Sequence, residues 1–184
     1  MDTHIKDSEH KMKASIDHLH VELGKVRTGR ASVSLVEDIK VDFYGNPTPL
    51  AQTATLGVPD SKTISIAPWD TSLLSVIEKA IQASNLGLTP SNDGKIIRLT
   101  IPPLTTDRRQ QLTKVVKKHG EDCKVAIRNI RRDFNDKLKA LEKDHSLSKD
   151  EERKGHDEIQ KATDKHVAEV DKIVQGKEKD VLEG

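Results

Sequence analysis

Seven basic side chains fall on one side of a predicted helix in the second half of the chain. At about 100° per residue they occupy roughly a third of the helix circumference. A row of guanidinium and ammonium groups on a rigid helix suits the phosphates of a nucleic-acid backbone, which arginine engages through paired hydrogen bonds. We call the following seven residues the basic face: Lys114, Lys117, Lys124, Arg128, Arg131, Arg132 and Lys139.

The distribution of charge makes this face informative. The whole chain has a net charge of +1, which favours no class of partner. The segment 105–144 alone holds 12 Lys and Arg against seven Asp and Glu, whereas 145–184 holds eight against 11. Positive charge is therefore concentrated on the helix that carries the basic face.

A solvated helix face with intrahelical ion pairs is the alternative interpretation. Glu121 and Glu142 fall within the basic sector and weaken it. By charge alone, the solvated face is the favoured interpretation. Aromatic residues are 2% of the chain, and none shares the sector, so stacking of single-stranded bases is not expected. Any contact with RNA would be made to its phosphate backbone and would depend on the shape of the RNA. DNA is not an expected partner.

The sequence contains no signature of catalysis. It has no GxxxxGK[ST] phosphate loop, no GxGxxG, no GxSxG and no HExxH. His18 and His20 lie two residues apart, on different helix faces, so they do not converge on a metal. Cys123 falls on an apolar stripe, where a small buried hydrophobe is the more frequent role than a nucleophile. We predict a protein that is not an enzyme and has no metal or cofactor.

Composition predicts a soluble cytoplasmic protein. The single cysteine excludes an intramolecular disulfide and suits a reducing compartment. The N-terminus, Met1 to His4, has no apolar run and little arginine follows it, so neither a signal nor a transit peptide is expected. No apolar stretch approaches the roughly 20 residues that span a bilayer.

Apolar residues at helical spacing predict three long helices. The first is capped by Thr3 and ends at Gly29, the second follows Leu104, and the third begins at a capping box formed by Ser148 and Glu151. Their stripes are narrow and would be buried in an antiparallel bundle with crossings near 20°. The stripe residues are Ile5, Met12, Ile16, Leu19, Leu23 and Val26; Leu112, Val116, His119, Cys123, Ile127, Ile130, Phe134 and Leu141; and Ile159, Ala162, His166, Val170, Ile173 and Val181.

The segment between the first two helices has a different pattern. Alternating apolar residues predict short strands at 39–43, 54–58, 62–67 and 97–101. Turn residues cluster at Gly45–Pro49 and at Asn92–Gly94. A short amphipathic helix runs from Leu73 to Ile81, capped by Asp70 or Thr71, and Gly87 terminates it.

These patterns together predict an α+β protein, in which a long antiparallel three-helix bundle is interrupted by a small β-rich domain. The bundle comprises 1–29 and 105–184, and the inserted domain comprises 30–104. Two short linkers, one with glycine and one with prolines, join them and are predicted to act as a hinge. The hinge residues are Thr28, Gly29, Arg30 and Ala31 in one linker, and Pro102, Pro103 and Leu104 in the other.

Five short motifs follow one another along nearly the whole chain. They are Arg27–Ser32; Tyr44–Leu50; Glu78–Ile81 with Ser84–Leu88; Pro102–Thr105 followed by Arg108 and Arg109; and Val125–Asp133. In this order they resemble the motifs of ribosome recycling factors. Phe134 departs from the family pattern, in which a small residue is expected, and should alter local packing in the bundle.

The resemblance implies an L-shaped molecule with a mobile second domain. Members of the family bind the post-termination 70S ribosome on the large-subunit side of the tRNA sites. With elongation factor G, which hydrolyses GTP, they split the subunits and release mRNA and tRNA. The chain itself would be a monomer with no membrane partner.

The resemblance also assigns residues. Arg128, Arg131 and Arg132 would contact ribosomal RNA of the large subunit, assisted by Arg27 near the hinge. Lys117 and Lys124 belong to the same basic face. Because this face coincides with the RNA-binding segment of the family, phosphate binding becomes the favoured interpretation. A helical scaffold or chaperone-like coiled coil with no RNA role is the alternative.

Overall fold

The computed structural model describes residues 2–184. Its contacts divide the chain into two units. The first unit runs through Val26 and resumes from Gln110 to Glu183. The second unit is Arg27–Arg109, with Gly184. Long helices form the first unit and an antiparallel sheet with one helix forms the second, so the predicted α+β class is confirmed.

Four helices organise the described residues. They are α1, Asp2–Gly24; α2, Leu74–Ala83; α3, Thr106–Lys143; and α4, Lys149–Glu183. The first, third and fourth form the bundle, and α2 lies in the second unit. The capping box before α4 is confirmed: Ser148 N donates to Glu151 Oε2 at 2.8 Å, and Glu151 N donates to Ser148 Oγ at 3.2 Å.

Both predicted ends of α1 are wrong. The helix begins at Asp2, before Thr3, and ends at Gly24 rather than Gly29. Lys25 N and Val26 N bond back three residues, which tightens the final turn and satisfies two carbonyl groups. Gly29 lies in the second unit with a φ of +78°. Glycine at either position gives the same stop signal in the sequence, so the pattern does not distinguish Gly24 from Gly29.

The predicted helix stripes form the core of the bundle, with local exceptions. Met12, Ile127 and Phe134 are among the fully buried side chains, whereas Ile5, His119, Ile130, Leu141 and Ile173 are only half-buried. Leu138 and two glycines were missed. A Cβ at Gly120 would lie 2.5 Å from Val174 Cγ2, and one at Gly155 would lie 2.7 Å from Leu138 Cδ1. Glycine at these two positions therefore permits close packing of α3 against α4.

The second unit contains six strands: β1, Lys40–Phe43; β2, Asn46–Pro49; β3, Ala54–Asp60; β4, Thr63–Pro68; β5, Pro90–Asn92; and β6, Ile97–Thr100. A four-stranded antiparallel sheet has the order β3-β4-β6-β5, and β1 pairs with β2 in a separate hairpin. Helix α2 packs its buried Ile77 and Ile81 into a core that includes Ile64, Ile97 and Leu99. The unit therefore has a hydrophobic core of its own.

The predicted turn at Gly45–Pro49 is correct only at Gly45. The turn consists of Tyr44 and Gly45, with φ values of +50° and +86°, and Asn46–Pro49 is strand β2. Positive φ at both central residues is the geometry of a tight two-residue hairpin. The sequence signal was misleading because proline usually marks turns rather than strands.

Proline is tolerated in β2 because of its register. Phe43 and Asn46 flank a two-residue turn and so form a hydrogen-bonded pair, after which bonded and non-bonded pairs alternate. Pro47 and Pro49 both fall at non-bonded positions, where the ladder does not need an N–H. Strand β5, which the pattern missed, likewise begins with proline, Pro90.

The start of the α2 region is confirmed and its end is not. Asp70 accepts a hydrogen bond from Ser72 N at 2.9 Å, as a cap of the 3-10 turn that leads into α2. The Ser72 N–H, followed by the Tyr44 hydroxyl, lowers the pKa of this carboxyl. Helix α2 ends at Ala83 rather than close to Gly87. Asn85 already adopts a left-handed φ of +55°, which ends the helix before the glycine is reached.

Candidate nucleic-acid interface

Helix α3 presents most of the basic face to solvent. Its apolar stripe packs into the bundle, which leaves the opposite side of the helix uncovered. The exposed members of the face are Lys114, Lys117, Arg128, Arg132 and Lys139. Val125 lies in the same sector and is 49% exposed, an apolar element that counting charges did not reveal. The exposed part of α3 can therefore meet an extended anionic surface.

Lys124 differs from the exposed members of the face. Its Nζ lies 2.5 Å from Asp171 Oδ1 of α4 and 3.3 Å from Glu121 Oε1, and its side chain is only 16% exposed. The hydrogen bond to Asp171 raises the pKa of Lys124. Two carboxylates thus compensate its charge, so Lys124 adds little to the field of the face. Its predicted contact with RNA remains a prediction.

Arg131 lies at the border between the basic face and the bundle. It is half-buried, and its Nη1 donates to Gln160 Oε1 of α4 at 3.2 Å. Arg131 therefore does not point away from the apolar stripe, as its place in the basic face would suggest. Helical angles place it beside the stripe's edge, where α4 packs, and this neighbour is not visible in the pattern of α3. Gln160 was missed because a neutral polar residue on a solvated helix gives no sequence signal.

Arg27 belongs to the second unit. Its side chain is half-buried, and Nη1 donates to the carbonyl of Leu86 at 3.2 Å, close to the end of α2. This contact anchors the chain segment that follows the bundle. A role for Arg27 in RNA binding remains a prediction.

One predicted hinge linker, and the residue just before the other, attach to the turn between β3 and β4. Ala31 N donates to Ser61 O at 2.8 Å, and Ile101 N donates to Lys62 O at 2.7 Å. Gly29 is buried with positive φ, and a Cβ there would lie 3.1 Å from the carbonyl carbon of Gly184, which is too tight, and 3.6 Å from Leu104 Cγ, which is an ordinary contact. The two linkers therefore run side by side, and Gly29 meets both a conformational and a spatial requirement.

A groove of about 560 Å³ between α1 and α3 contains several side chains that could do chemistry, including His18 and Cys123. Cys123 Sγ donates to Ser15 O at 3.4 Å, and burial raises the pKa of its thiol to about 11. A thiol of this kind is a poor nucleophile at neutral pH. Within residues 2–184 no three His, Cys, Asp or Glu side chains gather as a metal site.

None of the helices within residues 2–184 combines the length and the apolarity required to cross a bilayer.

The fold and the basic face define a class of protein: a two-unit α+β protein whose helical bundle carries an aromatic-free surface of lysines and arginines. Comparison with known proteins specifies the family. Residues 19–182 match the family model for ribosome recycling factor. This chain belongs to the ribosome recycling factor family.

Individual relatives match over almost their full length. The ribosome-recycling factor of Oleidesulfovibrio alaskensis is 53% identical over 183 residues, which cover 100% of both chains. That of Lawsonia intracellularis is 54% identical over 177 residues, covering 96% of this chain and 94% of the relative.

Two solved structures are also similar. A solution structure of the ribosome recycling factor has a TM-score of 0.77 and 37% identity, covering 100% of this chain and 97% of the other. The second, with a TM-score of 0.68 and 42% identity, covers 98% of both chains. It belongs to models of the T. thermophilus ribosome recycling factor and E. coli elongation factor G bound to the E. coli post-termination complex.

Proposed function

We propose that this chain acts in ribosome recycling after translation termination. It binds the post-termination ribosome and, with elongation factor G and GTP hydrolysis by that partner, promotes dissociation of the subunits and release of mRNA and tRNA. The observation that carries the proposal is the family match over 19–182, with relatives aligned over their full length. The proposal assigns GTP hydrolysis to the partner, because this chain lacks the phosphate-loop motif, and gives this factor a non-enzymatic role.

The basic face supplies the contact with ribosomal RNA in this proposal. Exposed arginines on a helix of 38 residues, Thr106–Lys143, hold the bundle on backbone phosphates of the large subunit. The two linkers allow the second unit to be displaced by elongation factor G while the bundle stays bound. A rigid element fixed at one end then strains the contacts between the subunits.

A subunit-splitting assay tests the function directly. Post-termination 70S ribosomes with this protein, elongation factor G and GTP should separate into subunits, and omission of either protein should abolish the effect. Absence of splitting with both factors present would contradict the proposal. If the chain were a helical scaffold without an RNA role, it would also fail to sediment with isolated large subunits.

Arg131→Ala is expected to weaken binding to 50S subunits by about tenfold, because a charge-assisted hydrogen bond to phosphate contributes about 1.5–3 kcal/mol. Binding should be measured at two salt concentrations, since phosphate contacts weaken steeply as salt rises. Circular dichroism should show unchanged helicity. Equal affinities of the variant and the wild type at both concentrations would favour the alternative interpretation, in which the basic face is only a solvated surface.

The hinge proposal predicts that the distance between the two units varies in solution. In a Cys123→Ser background, dyes at Lys154→Cys and Asn46→Cys should give a broad or exchanging distribution of energy-transfer efficiencies. Both of these positions are exposed. A pair within the bundle, at Val21→Cys and Lys154→Cys, should give one narrow distribution. An equally narrow distribution for the first pair under several salt conditions would argue against a hinge.

A further inference from the structure

Gln160 of α4 occupies a defined place in a short hydrogen-bond chain. It accepts from Arg131 Nη1 at 3.2 Å through Oε1, and its Nε2 donates to Asp164 Oδ1 at 2.8 Å. The chemistry of both neighbours determines the orientation of the amide, since a guanidinium only donates and a carboxylate only accepts. Asp164 thus holds the Gln160 oxygen toward Arg131.

We infer that Gln160 is a positioning residue that holds the Arg131 guanidinium ready for a ribosomal RNA phosphate. The inference rests on the proposed function, in which Arg131 contacts that phosphate. A long arginine side chain loses rotamer freedom on binding. A hydrogen bond formed beforehand to Gln160 removes part of that loss, so the bound complex becomes more favourable without any added charge.

Arg131 and Lys124 both border α4, but their partners on that helix differ in charge. The partner of Arg131, Gln160, is neutral. Lys124 meets the carboxylate of Asp171, which compensates its charge. Arg131 meets an amide oxygen, which occupies one of its five N–H donors and does not itself neutralise the positive charge. The same border of α3 therefore neutralises one basic side chain and orients another.

The location of Gln160 does not favour a role that only stabilises the fold of the bundle. Gln160 and Asp164 are both exposed to solvent. Polar contacts between exposed side chains contribute little to folding. The contact would therefore affect the geometry of Arg131 more than the stability of the bundle.

The inference is tested by a double-mutant cycle on binding to 50S subunits, with Gln160→Ala, Arg131→Ala and the double variant. Gln160→Ala should weaken binding about threefold, consistent with the loss of order at one side chain. The dependence of affinity on salt should stay unchanged because no charge is lost. In the Arg131→Ala background, Gln160→Ala should have no further effect.

Gln160→Glu supplies a readout that a structural role would not produce. A carboxylate in this position should pair with Arg131 as Asp171 pairs with Lys124. Binding should weaken by about tenfold, as for loss of the arginine, and the salt slope should fall by about one phosphate contact. Gln175→Ala makes the same chemical change at another exposed position of α4 and should leave binding and melting temperature unchanged.

The outcomes separate the inference from the function on which it rests. If Arg131→Ala weakens binding and Gln160→Ala does not, the positioning role is wrong and the RNA contact of Arg131 stands. A loss from Gln160→Ala that persists without Arg131 would mean that Gln160 acts independently, which also overturns the inference. If Arg131→Ala binds normally, both the RNA role of Arg131 and its positioning by Gln160 are wrong.

Discussion

Replacement of Phe134 by Ala is expected to lower the free energy of unfolding of the bundle by about 3 kcal/mol. The side chain is 1% exposed and is among the largest fully buried groups of the protein. Its ring also lies under two ammonium groups, with Lys137 Nζ 4.3 Å and Lys11 Nζ 5.2 Å from the centroid. Truncation removes apolar burial, both cation–π contacts and the contact between α1 and α3 at this level.

The expected loss lies at the lower end of the range for buried phenylalanine because a groove of about 420 Å³ borders the ring. Water and the flexible lysines can fill part of the space that truncation leaves. Urea unfolding followed by circular dichroism at the helical band measures the change.

Val125→Ala on the same helix is the matched control for Phe134→Ala. This residue is 49% exposed, and alanine favours helix more than valine does, so its stability should not fall. A loss below about 1 kcal/mol for Phe134→Ala would contradict the assignment of this ring to the core. It would mean that the bundle accommodates the small residue expected at this position in the family without rearrangement.

The double variant Arg128→Ala with Arg132→Ala is expected to weaken binding to 50S subunits by about 100-fold or more at moderate salt. Both side chains are exposed members of the basic face. Each charge-assisted contact to phosphate contributes about 1.5–3 kcal/mol, and two such losses multiply in affinity. The salt slope should fall by nearly two phosphate contacts. Stability should be unchanged because exposed arginines contribute little to folding.

Arg153→Ala with Lys154→Ala provides the matched control for this charge removal. It removes two adjacent exposed charges from α4 and leaves the basic face intact. A small change in binding for this control, beside a large loss for the first variant, would locate the interface on α3. Equal losses would indicate attraction to the total positive charge of the bundle rather than contact through the basic face.

Fewer residues of the basic face are available to a phosphate than the sequence suggests. Of its seven residues, Lys124 is neutralised by carboxylates and Arg131 is held at the border with α4. The remaining five are exposed. Loss of any of these five residues should therefore reduce attraction to phosphate without opening a buried ion pair.

The sequence alone determines the class of this protein and the order of its elements. Helical spacing of apolar residues predicts the bundle, and alternation across 39–43 and 97–101 predicts the strands between its helices. These signals are local, because a helix repeats every 3.6 residues and a strand every two. The capping box at Ser148 and Glu151 is equally local, since it satisfies N–H groups within one turn.

Tertiary structure decides which neighbour each border residue meets. Periodicity places Lys124 and Arg131 on the same side of α3, yet one meets Asp171 and the other Gln160. The close packing at Gly120 depends on Val174 of another helix. The place of Pro47 in a strand depends on its register with β1. Helical angle is a property of one segment, whereas charge compensation and close packing arise only where two segments meet.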